Sequence, residues 1–183
     1  MLNLNDLAKE SFERAKRKGF YDPPPTMLER IALMHTEVSE AHTEGQCSTR
    51  IALYYEGSDK PEGFGIELAD VVIRIADCCG YADIDLMGAF ARASRPRFVT
   101  LHGLDAATVA LHKTLSNAAE HFRKGELGMF ERMGFWRGLP IEFGYAVRQC
   151  YQLAFAAALD LNDLIRVKSD YNETRPHKHG KSC

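Results

Sequence analysis

The chain has 183 residues, 45% of them hydrophobic, with 23 Lys+Arg against 25 Asp+Glu and a net charge of −2. That length can bury one sizeable core, and the near-neutral balance argues against a nucleic-acid coat or a membrane-surface protein. No stretch approaches the roughly 18 apolar residues of a membrane span, and the opening Met1-Leu2-Asn3-Leu4 has no apolar core of signal-peptide length, so a cytoplasmic protein is expected.

Alternating strand patterns are almost missing, while Ala, Leu, Glu and Arg recur at three-to-four spacing, which predicts an all-α helical bundle. A first helix is expected over 5–18, stopped by Gly19. Pro23, Pro24 and Pro25 form a stiff connector, and Thr26 with Glu29 offers a capping box for the next helix. That helix reaches Glu44, buries Leu28, Ile31, Met34 or His35, Val38 and Ala41, and ends at Gly45. Residues 46–63 read as a short helical turn at 50–55 and a polar loop. A helix over 62–80 carries Glu67, Asp70, Arg74 and Asp77 on one face and Leu68, Val71 or Val72, Ile75 and Cys79 on the other. A short helix over 83–93 is broken by Arg95-Pro96; helices over 105–124, 140–159 and 162–171 follow, with a Gly-rich loop before Gly138.

Two acidic pairs, Glu37 with Glu40 and Glu67 with Asp70, stand at i, i+3 on two consecutive helices, so each pair shares a face. Like charges so placed repel by about a few tenths of a kcal/mol and contribute nothing to folding. Gathered between two packed helices they call for a divalent cation, and all-oxygen donors favour Mg²⁺ or Mn²⁺ over Zn²⁺. Asp77 continues the stripe, with a salt bridge to Arg74 and a place at the metal both open. A di-iron carboxylate bundle needs Glu-x-x-His, which no glutamate here provides. The five cysteines, Cys47, Cys78, Cys79, Cys150 and Cys183, lack C-x-x-C spacing and are expected to be reduced thiols, with Cys78 and Cys79 filling the core.

The second half echoes the first. His35-Thr36-Glu37-Val38-Ser39-Glu40-Ala41 resembles His112-Lys113-Thr114-Leu115-Ser116-Asn117-Ala118; Phe64-Gly65 resembles Phe143-Gly144, and Ile84-Asp85-Leu86 resembles Asn162-Asp163-Leu164, at offsets of 77 to 79. This predicts a single domain over 1–183 built as a pseudo-dimer of two tandem, divergent helical-hairpin repeats: 20–97 with the acidic motif, and 104–183 degenerate with a basic tail. Thr114 and Asn117 replace Glu37 and Glu40, while Glu67 and Asp70 fall on Tyr145 or Ala146 and on Arg148 or Gln149. The tail carries Lys168, Asn172, Arg175, His177, His179 and Lys181, groups suited either to phosphate or to an exposed helix end. His35 and His112 read as packed helix histidines, and Trp136 as a loop-packing residue that could instead stack on a base.

Glu37-Val38-Ser39-Glu40 and Glu67-Leu68-Ala69-Asp70, with 26 residues between them, Phe64-Gly65-Ile66 before the second pair and the Tyr171-Asn172, Arg175-Pro176 and His179-Gly180 tail, resemble the MazG-like all-α nucleoside triphosphate pyrophosphohydrolases, relatives of dimeric dUTPases and dCTP pyrophosphatases. The resemblance covers 26–86 and 162–181 best. It implies a Mg²⁺-dependent (Mn²⁺ possible) hydrolase that cleaves a (deoxy)nucleoside triphosphate to the monophosphate and pyrophosphate. Glu37, Glu40, Glu67 and Asp70 would be the metal ligands, Glu37 or Glu40 the catalytic base, and Lys168, Asn172 and Arg175 the substrate-binding residues. The degenerate half leaves room for a nucleotide-binding or regulatory protein without turnover. No nucleic-acid polymer and no membrane is implied as a partner; base and sugar preference and homo-oligomer formation stay open.

Overall fold

The side chain of Asn3 accepts hydrogen bonds from the backbone N–H groups of Asn5 and Asp6 and so starts α1, Leu4–Arg17, whose last turn carries Arg14, Lys16 and Arg17 where the helix dipole favours cations. The computed structural model describes residues 2–47, 53–54, 58–93, 103–126 and 138–180. The Gly-rich loop before Gly138, Arg95-Pro96, Trp136 and Lys181 lie outside these residues.

The connector to α2, Met27–Cys47, contains a cis bond at Asp22–Pro23 and closes in the predicted capping box. The Thr26 N–H and hydroxyl donate to the Glu29 carboxylate, and the Glu29 N–H donates to the Thr26 hydroxyl. Two expectations for α2 fail for tertiary reasons. Gly45 does not end the helix, which runs on to Cys47; a side chain at 45 would collide with Leu104 and Phe64, so this glycine allows close packing rather than a stop. Leu28 is 42% exposed; the buried stripe is Met27, Ile31, Met34, Val38 and Ala41, with Arg30 and Glu37 buried beside it.

The helical turn expected at 50–55 is not what Leu53–Tyr54 forms: this is β1, paired antiparallel with β2, Pro61–Glu62. Next come α3 (Phe64–Tyr81), α4 (Leu86–Arg92), α5 (Gly103–Glu126), α6 (Gly138–Ala156) and α7 (Leu161–Thr174), then a 3₁₀ turn at His177–Gly180. The regular elements among the described residues are thus helices apart from one two-residue β pair. α3 is the central helix, with 13 of its 18 residues buried, which is why its apolar residues run nearly continuously instead of forming one stripe. It packs against α1, α2, α6 and α7, while α2 packs on α5 and α4 on α6. Among the described residues no helix is long and apolar enough to cross a membrane.

α3 and α6 end alike. Asp83 and Ala158 take left-handed φ angles of 53° and 58°, the N–H groups of Ile84 and Leu159 reach back to the carbonyls of Cys79 and Ala154, and Asp85 and Asp160 cap the helices that follow. The residue that caps α7 is therefore Asp160, not the Asp163 matched to Asp85 by sequence. Crossed packing accompanies these ends: a Cβ on Gly65 of α3 would strike Leu159 and Leu164, and a Cβ on Gly144 of α6 would strike the Ala89 carbonyl of α4. Where α2 meets α5, the His35 and His112 rings stack on each other, with centroids 5.0 Å apart, planes 7° apart and an Nδ1–Nδ1 separation of 2.7 Å. Cys78, Cys79 and Cys150 are fully buried free thiols in the core.

The basic tail is docked. Lys18 Nζ donates to the carbonyls of Glu173 and Arg175, Arg17 pairs with the Glu173 carboxylate, and the Lys178 N–H donates to the Lys18 carbonyl. Gly19, at φ 82°, sits against the His177 imidazole where a side chain would collide.

Candidate metal centre

Met34, Val38 and Ala41 face the core completely, and that fixes the rotation of α2. Glu37, one turn on from Met34 and flanking this stripe, is carried to the α2–α3 seam and is 6% exposed. Glu67 lies in the first turn of α3, where the helix dipole favours a negative charge, and is 3% exposed. Asp70 follows one turn later. One carboxylate oxygen from each of Glu37, Glu67 and Asp70 lies within 4.8 Å of the other two.

Of the seven residues predicted for the site, four converge. Lys168, 2% exposed on α7, places Nζ 2.6 Å from the Asp70 carboxylate. Glu40 is exposed and stands outside the three-carboxylate group; with Ser39, Thr43, Glu44, Glu62 and Glu67 it lines an adjoining hollow of about 230 Å³. Asn172 is half-buried on α7, and its side-chain carbonyl is buried without a hydrogen-bond partner. Arg175 follows α7 with its guanidinium 5.7 Å from the Tyr171 ring centroid.

Two of the three clustered carboxylates hold cations of the chain itself. Lys168 is on Asp70, and Arg74 Nε donates to Glu37 in a short contact. Of the two roles left open for Asp77, a bridge to Arg74 and a place at the metal, the described residues show neither, because Asp77 is taken by other partners. It accepts from the Tyr21 hydroxyl at 2.6 Å and pairs with Arg30 at 3.5 Å. Arg30, 4% exposed, is sandwiched between the Tyr21 and Tyr81 rings at 4.3 and 4.2 Å. Sequence reasoning passed over Arg30, although a cation between Met27 and Ile31 in an otherwise apolar stripe was a readable signal of a buried partner.

Glu67 differs from its neighbours: among the described residues its carboxylate has neither a hydrogen bond nor an ion pair. Burial, then the Asp70 charge, pushes its acid form up from 4.5 to about 8, against the pull of Lys168. Burial likewise raises Asp70 from 3.8 to about 6, with Lys168 opposing and Glu37 adding to the rise. A buried carboxylate without a counter-ion is costly, and the usual remedies are a proton or a metal ion. Three convergent carboxylates form an all-oxygen donor set that suits Mg²⁺ or Mn²⁺, ions that keep several waters and need only a few protein ligands. The hollow beside them is lined by Glu40, Glu44, Glu62 and Glu67, so a polyanion enters it only together with neutralising cations. Comparison of the chain with protein-family models, curated proteins and solved structures finds no match.

Proposed function

We propose that the protein is a metal-dependent nucleoside triphosphate pyrophosphohydrolase of the MazG-like all-α kind, converting a (deoxy)nucleoside triphosphate to the monophosphate and pyrophosphate. The observation that carries this reading is the convergence of Glu37, Glu67 and Asp70, with Glu67 buried and lacking a counter-ion, directly beside Lys168. Glu37, Glu67 and Asp70 would hold Mg²⁺ or Mn²⁺, which would supply neutralising charge for the triphosphate and make a bound water more acidic than bulk water.

The chain's own groups then divide the work. Glu40, exposed at the rim of the hollow and outside the clustered trio, takes the proton of the attacking water. The water oxygen bonds to the α-phosphorus as the bond from that phosphorus to the bridging oxygen breaks, and pyrophosphate leaves with the electron pair. Lys168 and Arg175 bind phosphate oxygens, Arg175 through its bidentate fork, and Asn172 donates its amide N–H to a phosphate oxygen or accepts from a sugar hydroxyl at its unpartnered side-chain carbonyl.

The two-repeat reading belongs to the same proposal. Its support is the crossed packing of α4 on α6 and α7 on α3, and the meeting of His35 with His112, as expected where equivalent residues face each other across a pseudo-two-fold axis. The turn residues Asp83 and Ala158 and the caps Asp85 and Asp160 are each 75 positions apart. That register sets Glu142, 5% exposed, opposite Glu67, in place of the Tyr145 or Ala146 that sequence matching suggested.

Steady-state assays over canonical and damaged nucleotides with Mg²⁺ or Mn²⁺ test the activity. Pyrophosphate release that depends on metal and is abolished in Glu37→Ala and Asp70→Ala supports the reading; turnover unaffected by both changes overturns it. A binding protein without turnover is the second reading, favoured by the ion pairs already on Glu37 and Asp70. Tight nucleotide binding with no hydrolysis across the panel would select it.

A further inference from the structure

Lys168 is 2% exposed, and its ammonium makes a 2.6 Å contact with Asp70, the only ion pair formed for either group among the described residues. Arg74 occupies Glu37 in the same way from α3. Each of these cations sits on a carboxylate that the metal reading requires as a ligand, while Glu67 between them has none. A carboxylate oxygen engaged by an ammonium or guanidinium is not free to ligate a metal at full strength, and a divalent ion brought beside Lys168 or Arg74 is repelled by it.

The two cations have different freedom to leave. Arg74 is 41% exposed at its side chain and can swing into solvent. Lys168 is enclosed, so its ammonium needs a new anionic partner nearby before it can leave Asp70. Asn172, one turn further along α7 with a buried, unpartnered side-chain carbonyl, marks polar space on the same helix face.

We propose, resting on the metal-dependent reading above, that Lys168 is a built-in counter-ion of Asp70 which a polyphosphate must draw off before a divalent cation binds at full strength. Metal and polyphosphate then bind as a coupled pair, each weakly alone. The coupling is reciprocal by linkage: whatever free energy the phosphate gives to the metal, the metal gives to the phosphate. The device guards the site against filling by free divalent cation when no substrate is present.

The test is Mn²⁺ binding to the full chain without any phosphate, read by the electron paramagnetic resonance of free Mn²⁺. Lys168→Met is expected to bind Mn²⁺ about 10-fold more tightly than wild type, the size of one charge-assisted hydrogen bond. Equal or weaker binding by Lys168→Met overturns the proposal while leaving the metal site standing. If neither protein binds Mn²⁺, the metal reading itself falls and takes this inference with it. A second measurement needs no folded variant of the core. In wild type, the Lys168 side-chain NH₃⁺ resonance is expected to lose its ion-pair signature when Mg²⁺ and inorganic tripolyphosphate are added together, and to keep it with Mg²⁺ alone at the same concentration. A signal that is unchanged by the pair, or lost with Mg²⁺ alone, overturns the coupling.

Discussion

The α2–α3 and α5–α6 seams bury polar groups to very different effect. Between α2 and α3 lie Glu37, Glu67 and Asp70, three acids against Arg74 and Lys168, with Glu67 unmatched. On α5 and α6 the buried polar residues include Thr114, Glu142 and Gln149. Thr114 satisfies itself by donating to the Ala110 carbonyl, Glu142 is engaged, and only the neutral Gln149 amide goes without a partner. A helix seam tolerates an unmet amide at modest cost but an unmet carboxylate only at large cost. The first seam is therefore the one that leaves a buried carboxylate to be met by a proton or a cation.

The largest effect that sharpens this contrast is on turnover. Glu67→Gln and Asp70→Asn are expected to lower metal-dependent pyrophosphate release on the order of 10³-fold, a loss of several kcal/mol of charge stabilisation. Glu142→Gln is expected to leave kcat/KM within about threefold, since it removes no ligand. Comparable losses from both seams would erase the distinction. Next comes stability without metal. Glu67→Gln should raise the unfolding free energy at pH 8 by about 1–3 kcal/mol, as relief of an unpaired buried charge does, and Glu142→Gln should lower it by about 1–3 kcal/mol through loss of an engaged partner. Urea unfolding of both variants measures the two signs.

The pH dependence follows from the same shifts. Glu67 and Asp70 have folded-state values raised to about 8 and about 6, so the stability they contribute in acid is lost as pH rises. The metal-free melting temperature of wild type should fall relative to Glu67→Gln across pH 4.5 to 8, and saturating Mg²⁺ should remove the difference at the alkaline end. The smallest effect lies at the α2–α5 seam. Burial first, then His112, lowers His35, and burial first, then His42, lowers His112, so their contribution is present above 6.5 and lost as pH falls below it. His112→Gln should flatten that acid limb by about 1 kcal/mol in a pH series of unfolding curves.

Much of this was legible in the chain. Thr26 and Glu29 specify their capping box locally, within four residues, and the apolar stripe of Met34, Val38 and Ala41 sets Glu37 beside the buried face of α2. What the sequence could not supply is the choice among partners that depends on three-dimensional neighbours. Arg74 reaches Glu37 on α2 rather than Asp77 on its own helix because Tyr21 and Arg30 reach Asp77 first. Gly45 reads as a stop signal but is a packing allowance for Leu104 and Phe64. Glu142 has no acidic mate at i, i+3, so nothing in its spacing marks it as a buried acid. Glu40 shares a helix face with Glu37 in the pattern, yet one turn of α2 carries it from the buried seam to the rim.

The Arg30 sandwich has a consequence for how sharply the acids are aimed. Its guanidinium is clamped between Tyr21 and Tyr81, bonded to the Pro25 carbonyl and held to Asp77 on α3. Asp77 lies seven positions after Asp70, two turns along the same helix. The clamp thus acts as a rotational stop between α2 and α3, denying the carboxylates the azimuthal freedom that would let each turn away from its neighbours' charge. Most of the orientational entropy of gathering the three carboxylates is then lost during folding.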